Sequence, residues 1–126
     1  MNWTFIILLM IFCHIVDDYY LQGWLASAKQ RSYWLENAPQ NLYKYDYIWA
    51  LIMHSFSWSF MIMLPIAAFD MRFDVNHLFV LAFVCNLVIH AFTDNMKANM
   101  RLINLWMDQA IHLFQIAVTA LVFVIS

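Results

Sequence analysis

The chain has 126 residues, of which 65% are apolar and 11% charged, with a single glycine and a formal charge of −2. A soluble domain devotes about a quarter of its residues to charge, so the composition excludes an ordinary water-exposed globule and marks an integral membrane protein. The length suits one domain covering residues 1–126, and the nearly balanced charge excludes a nucleic-acid footprint.

A helix needs roughly 20 predominantly apolar residues to cross a bilayer. The first candidate covers about 3–22, but only Trp3 to Val16 is uninterrupted, so it spans only if Asp17 and Asp18 lie in its last turns. It lacks the basic start and small-residue cleavage site of a signal peptide and therefore reads as a span. The connection 23–46 holds Trp24 and Trp34, and all six tyrosines lie in or beside it, between Tyr19 and Tyr47. Aromatic rings with a polar tip favour headgroup depth, so this loop is expected along the membrane interface, with a short helix in WLASAKQRSYWLENA ending before Pro39.

The remaining spans are expected at about 47–69, 77–96 and 103–125. No strand alternation that could build a barrel is present, so the fold class is all-α, a polytopic bundle of four transmembrane helices. Lys29, Arg31 and Lys44 fall in the first connection, Lys97 and Arg101 in the third, and only Arg72 in the second. The positive-inside rule then makes the first and third connections cytoplasmic and both termini external. Cys13 and Cys85 each lie in a span without a CxxC pairing and read as small buried hydrophobes.

Ionisable residues inside the spans repeat one pattern. His14 and Asp18, His90 and Asp94, and Asp108 and His112 are each four residues apart, which places both side chains on one helix face. In an antiparallel bundle these pairs reach a common level, joined by His54 two turns into the second span. His77, Asp70 and Asp74 belong to the opposite end. A carboxylate in lipid costs several kilocalories per mole unless paired, neutralised or bound to a cation. Mixed imidazole and carboxylate ligands suit Zn²⁺, Mn²⁺ or Fe²⁺ better than Ca²⁺. The expected metal ligands are His14, Asp18, His54, His90, Asp94, Asp108 and His112, for one ion or two. Such pairs also serve as a proton relay or as glue between helices. Gln22, Asn86, Asn95, Gln109 and Gln115 are candidate supporting donors.

HIVDDYYLQGWLASAK, with His14, Asp18, Leu21, Gln22 and Lys29, resembles the opening of a family of small bacterial and phage membrane proteins known as domain of unknown function 3307. HAFTDNMK, with His90, Asp94 and Lys97, resembles its second signature, and DQAIH, with Asp108, Gln109 and His112, its third. His54 stands where that family has a lone histidine, while Asp17 is an additional acid. The signatures are similar in style to those of membrane-bound proteins regarded as metal-dependent hydrolases. The resemblance implies a bacterial inner-membrane location.

The expected function is metal-dependent hydrolysis of a lipid or lipid-linked substrate near the cytoplasmic face. Asp94 or Asp108 would take a proton, and Lys97, with Arg101, would bind a phosphate headgroup. Alternatives are a proton or divalent-metal transporter, which could require a homo-oligomer to line its path, and a non-enzymatic phage or bacterial effector acting on a host membrane protein.

Overall fold

A computed structural model describes residues 2–126. Helix α1 covers Trp3–Ile15 and continues into a π-helical turn, Val16–Leu21. Two short helices follow, α2 (Leu25–Ala28) and α3 (Arg31–Asn37), then a 3₁₀ turn at Asn41–Tyr43. Helix α4 (Asp46–Pro65) also ends in a π-helical turn, Ile66–Asp70, and α5 (His77–Ala98) and α6 (Leu105–Ile125) complete the bundle. Four of these segments are long and apolar enough to cross a membrane.

The helix starts are written locally. Asn2, Asn76 and Asn104 each accept a hydrogen bond from the backbone N–H three residues ahead, capping α1, α5 and α6. The first span reaches 19 residues only because the π turn carries the chain through both acids. At about 1.5 Å per residue that is roughly 28 Å, close to the hydrocarbon thickness. Gly23, at φ +53°, then reverses the chain in a conformation that suits glycine.

Helix α1 packs on α4 and α6, and α5 packs on the same two, which closes a four-membered ring. One half of the ring is filled by an apolar cluster that includes Ile6, Met10, Ile62, Met63, Ile116 and Phe123. The other half is filled by buried histidines and aspartates, with Trp58 at the boundary. Phe12, Phe60, Phe92 and Phe114 point outward and are more than half exposed. An apolar exterior around a polar interior is the arrangement a bilayer selects.

The first connection is more structured than a single short helix. Its predicted helix is two, α2 and α3, ending before Pro39, and α2 packs against α4. Trp24, Tyr33, Trp34 and Tyr43 cluster through edge and stacking contacts. Asn99, just beyond α5, holds the segment down. Its side chain donates to the Lys29 carbonyl at 3.0 Å and accepts from the Arg31 N–H at 2.7 Å. The loop thereby folds back onto the polar end of the bundle, and Lys29 is buried there. The cysteines also divide: Cys13 is buried, whereas Cys85 faces outward from α5, so burial does not explain it.

Candidate metal centre

All seven residues expected from the sequence lie in one layer, and each is nearly or wholly shielded from solvent. His77 and Asp74 are exposed at the far end of the bundle, away from that layer. The layer is assembled from four helices, because the i,i+4 pairs on α1, α5 and α6 bring three carboxylates inward and α4 contributes His54.

Six donor atoms converge. His54 Nε2 lies 3.2 Å from His90 Nε2 and 3.2 Å from Asp18 Oδ1. Asp94 Oδ1 is 3.6 Å from His90 Nε2 and 3.5 Å from His112 Nε2, and Asp108 Oδ1 is 3.3 Å from His112 Nε2. A tetrahedral ion with bonds of about 2.0–2.1 Å has donors about 3.3 Å apart, so these separations fit a shared cation. Three overlapping triads have donor atoms within 4.8 Å of one another: Asp18, His54 and His90; His90, Asp94 and His112; and Asp18, Asp108 and His112.

Each carboxylate is held by its outer oxygen. Lys29 Nζ donates to Asp94 Oδ2 at 2.7 Å, and Lys97 Nζ to Asp108 Oδ2 at 2.9 Å. Gln109 Nε2 donates to Asp18 Oδ2 at 3.1 Å and to Asp108 Oδ2 at 3.0 Å. Oδ1 of Asp18, Asp94 and Asp108 each faces an imidazole, and Asp94 Oδ2 also lies 3.4 Å from His54 Nε2.

The ring nitrogens are oriented in the same way. His112 Nδ1 faces the amide oxygen of Gln115 at 3.3 Å, and since that oxygen only accepts, Nδ1 carries the hydrogen and Nε2 presents a lone pair inward. His54 Nδ1 faces Asp17 Oδ2 at 3.8 Å; neither atom has a hydrogen-bond partner among the described residues, and a small closure would join them. Asp17 is itself fixed by the Ser57 hydroxyl, which donates to its other oxygen. A carboxylate behind a ligating histidine is a recurrent support of metal sites. His90 is clamped by stacking, with ring centroids 4.1 Å from Trp58 and 4.2 Å from His112.

His14 departs from its expected role. The Trp58 indole N–H donates to His14 Nδ1 at 2.8 Å, which leaves the hydrogen on Nε2 to be donated to Gln109 Oε1 at 3.0 Å. Both nitrogens are engaged and His14 belongs to none of the three triads. It positions Gln109, which in turn positions Asp18 and Asp108. Lys97 likewise meets a carboxylate here, with its side chain 35% exposed.

Spacing alone did not pick out Asp17, Lys29 and Trp58 as parts of the layer. The π turn explains the first, because i→i+5 widening allows adjacent acids to face inward together, and such turns recur at functional sites. Lys29 had a signal in the resemblance, which includes it. Among the amides, Gln115 and Asn86 extend the layer towards the apolar half: Gln115 Nε2 donates to Asn86 Oδ1 at 3.2 Å and Asn86 Nδ2 to Thr119 Oγ1 at 2.8 Å. Asn95 instead accepts from Asn99 near the loop, and Gln22 donates to the Asp18 carbonyl.

Four carboxylates, Asp17, Asp18, Asp94 and Asp108, stand against two ammonium groups, Lys29 and Lys97. With neutral histidines the layer has a formal charge of −2, the amount one divalent cation balances. Comparisons of the chain with protein-family models, with curated proteins and with solved structures give no match. Fold and site together define an all-helical, four-span integral membrane protein with a buried His/Asp centre able to hold a metal ion.

Proposed function

We propose that the layer binds one divalent metal ion, Zn²⁺, Mn²⁺ or Fe²⁺, and that the protein is a metal-dependent hydrolase of a lipid or lipid-linked substrate. The observation that carries this reading is the inward convergence of three imidazole nitrogens and three carboxylate oxygens, with the carboxylates held from outside by Lys29, Lys97 and Gln109 and His112 by Gln115. A second ion would leave the buried layer with an excess positive charge, so one ion is the economical occupancy.

His90, His112 and Asp94 are the principal ligands, with His54 beside His90 at 3.2 Å as the adjoining donor. This triad takes precedence because it is the most deeply buried of the three. A divalent ion held there would supply Lewis acidity and an acidified water. Asp108 is the proton acceptor: Oδ1 has no hydrogen-bond partner, while Lys97 and Gln109 hold Oδ2. Asp18 supports the same inner face through Gln109. The resemblance to domain of unknown function 3307 belongs to this proposal, since its histidines, aspartates and lysines, with Gln109, are among the residues that meet in the layer. So does the orientation: Arg31, Lys44 and Arg101, which make no ion pair among the described residues, favour a cytoplasmic location for the site end.

The test is turnover of a defined panel of phospholipids and lipid phosphates by purified protein loaded with each metal. Asp108→Asn should lower turnover by about 10²–10⁴ while keeping the metal and the fold. Undiminished turnover in that variant, or none in the wild type with bound metal, refutes the hydrolase.

The chain from His112 through Gln115 and Asn86 to Thr119 favours a second reading, a proton or divalent-metal transporter. It reaches beyond the metal layer, although Ile62, Met63, Ile116 and Phe123 pack the far half. His90-dependent cation flux into liposomes would select it over hydrolysis.

A further inference from the structure

The donors of the metal centre are shut off on most sides. His54, His90, Asp94, Asp108 and His112 are at most 2% exposed. The members with some residual exposure are Asp18 and Gln109, on the two chain segments that meet at the α1–α6 side, and Lys97, which reaches Asp108 from α5. A groove of about 570 Å³ opens at this seam. Ile11, Ile15, Leu105 and Leu113 form apolar walls, and His14 and Gln109 lie along it. It extends from Ile11 on α1 to Tyr20 in the π turn, ten residues whose nine rises make about 14 Å at about 1.5 Å each.

The groove opens sideways from a bundle that crosses a membrane, so hydrocarbon chains are its immediate surroundings. Tyr19, Tyr20 and Trp106 flank the end nearest the polar connections, the setting in which amphipathic rings meet headgroups. The turn from α5 to α6 carries Lys97 and Arg101 and has no acid before Leu105 enters the groove wall. Arg101 forms no ion pair among the described residues. Lys97 Nζ and Gln109 Nε2 donate to the same oxygen of Asp108, which ties this cationic turn to the groove floor. Apolar walls, a floor bonded to the donor layer and a cationic turn that leads into the groove wall at Leu105 complement a phosphate-bearing lipid.

We propose that the groove between α1 and α6 binds one hydrocarbon chain of an anionic phospholipid, with the phosphate beside Arg101 and Lys97 and the headgroup linkage over Gln109. This rests on the hydrolase reading for its purpose, while the binding itself does not depend on turnover. A second groove, about 400 Å³ between α5 and α6, serves as an internal comparison. Leu81, Phe114 and Val118 line it, but its amides are bonded to one another and it lies away from the cationic turn.

The experiment uses the full chain in vesicles of phosphatidylethanolamine and phosphatidylglycerol containing phosphatidylglycerol with a photoactivatable group along its acyl chain. Adducts are mapped by mass spectrometry, and metal content is measured on the same preparation. The expected result is adducts concentrated on Ile11, Ile15 and Leu113, reduced at least fivefold by Leu113→Trp and by Ile15→Trp, with metal content unchanged. A phosphatidylcholine probe should label these positions less, and Arg101→Gln should remove that preference. Even labelling around the bundle, or labelling centred on Leu81 and Phe114, overturns the proposal. Absence of metal with labelling as expected overturns the hydrolase reading and leaves the lipid site standing.

Discussion

Lys29→Met removes an ammonium 2.7 Å from Asp94 Oδ2 and keeps most of the side-chain volume. The pair is enclosed, with side-chain exposures of 10% and 2%, so solvent cannot replace the lost partner. Breaking a buried pair by deleting one member costs about 3–5 kcal/mol. His54, His90 and His112 lie 3.4–3.6 Å from Asp94, and protonation of one of them would compensate in part. The loss should therefore fall near the lower end, about 3 kcal/mol, or roughly a hundredfold in the unfolding equilibrium. The assay is reversible unfolding of metal-free protein in mixed micelles, followed by far-ultraviolet circular dichroism. Asp94→Asn combined with Lys29→Met should recover much of the loss, because removing both charges leaves no uncompensated ion. A loss below about 1 kcal/mol in the single variant, with no coupling to Asp94, would refute the claim that Lys29 neutralises the centre.

Asp17→Asn should weaken metal binding about 10–100-fold, measured by competition with a chelator, because it removes the carboxylate behind His54; unchanged affinity would leave Asp17 merely packed. Asn99→Ala removes the bonds to the Lys29 carbonyl and the Arg31 N–H. Two such bonds contribute about 1–3 kcal/mol together, so amide exchange across residues 25–37 should accelerate about 10–100-fold, while exchange in α6 stays as it was.

The four spans were legible because apolar runs of sufficient length permit little else in a bilayer, and four helices long and apolar enough to cross one are present. The layer was legible because i,i+4 spacing fixes a helix face regardless of what it packs against. What escaped the pattern depended on local geometry or on the partner. Asp17 turns inward with Asp18 through a π turn, which a 3.6-residue period does not anticipate. Lys29 arrives from a connection whose fold depends on Asn99, some 70 positions away. His14 carries the same signature as the other histidines, and only Trp58 and Gln109, on α4 and α6, draw its two nitrogens away from the donor cluster.

The most direct measurement is elemental analysis of the detergent-purified protein, wild type beside the double variant His90→Ala, Asp108→Ala and beside His14→Phe, all with matched elution profiles. Near one equivalent of Zn, Mn or Fe in the wild type and in His14→Phe, and none in the double variant, is the predicted result. No metal in any of them after reconstitution with each ion would contradict the metal centre, and loss of metal in His14→Phe would return that residue to the ligand set.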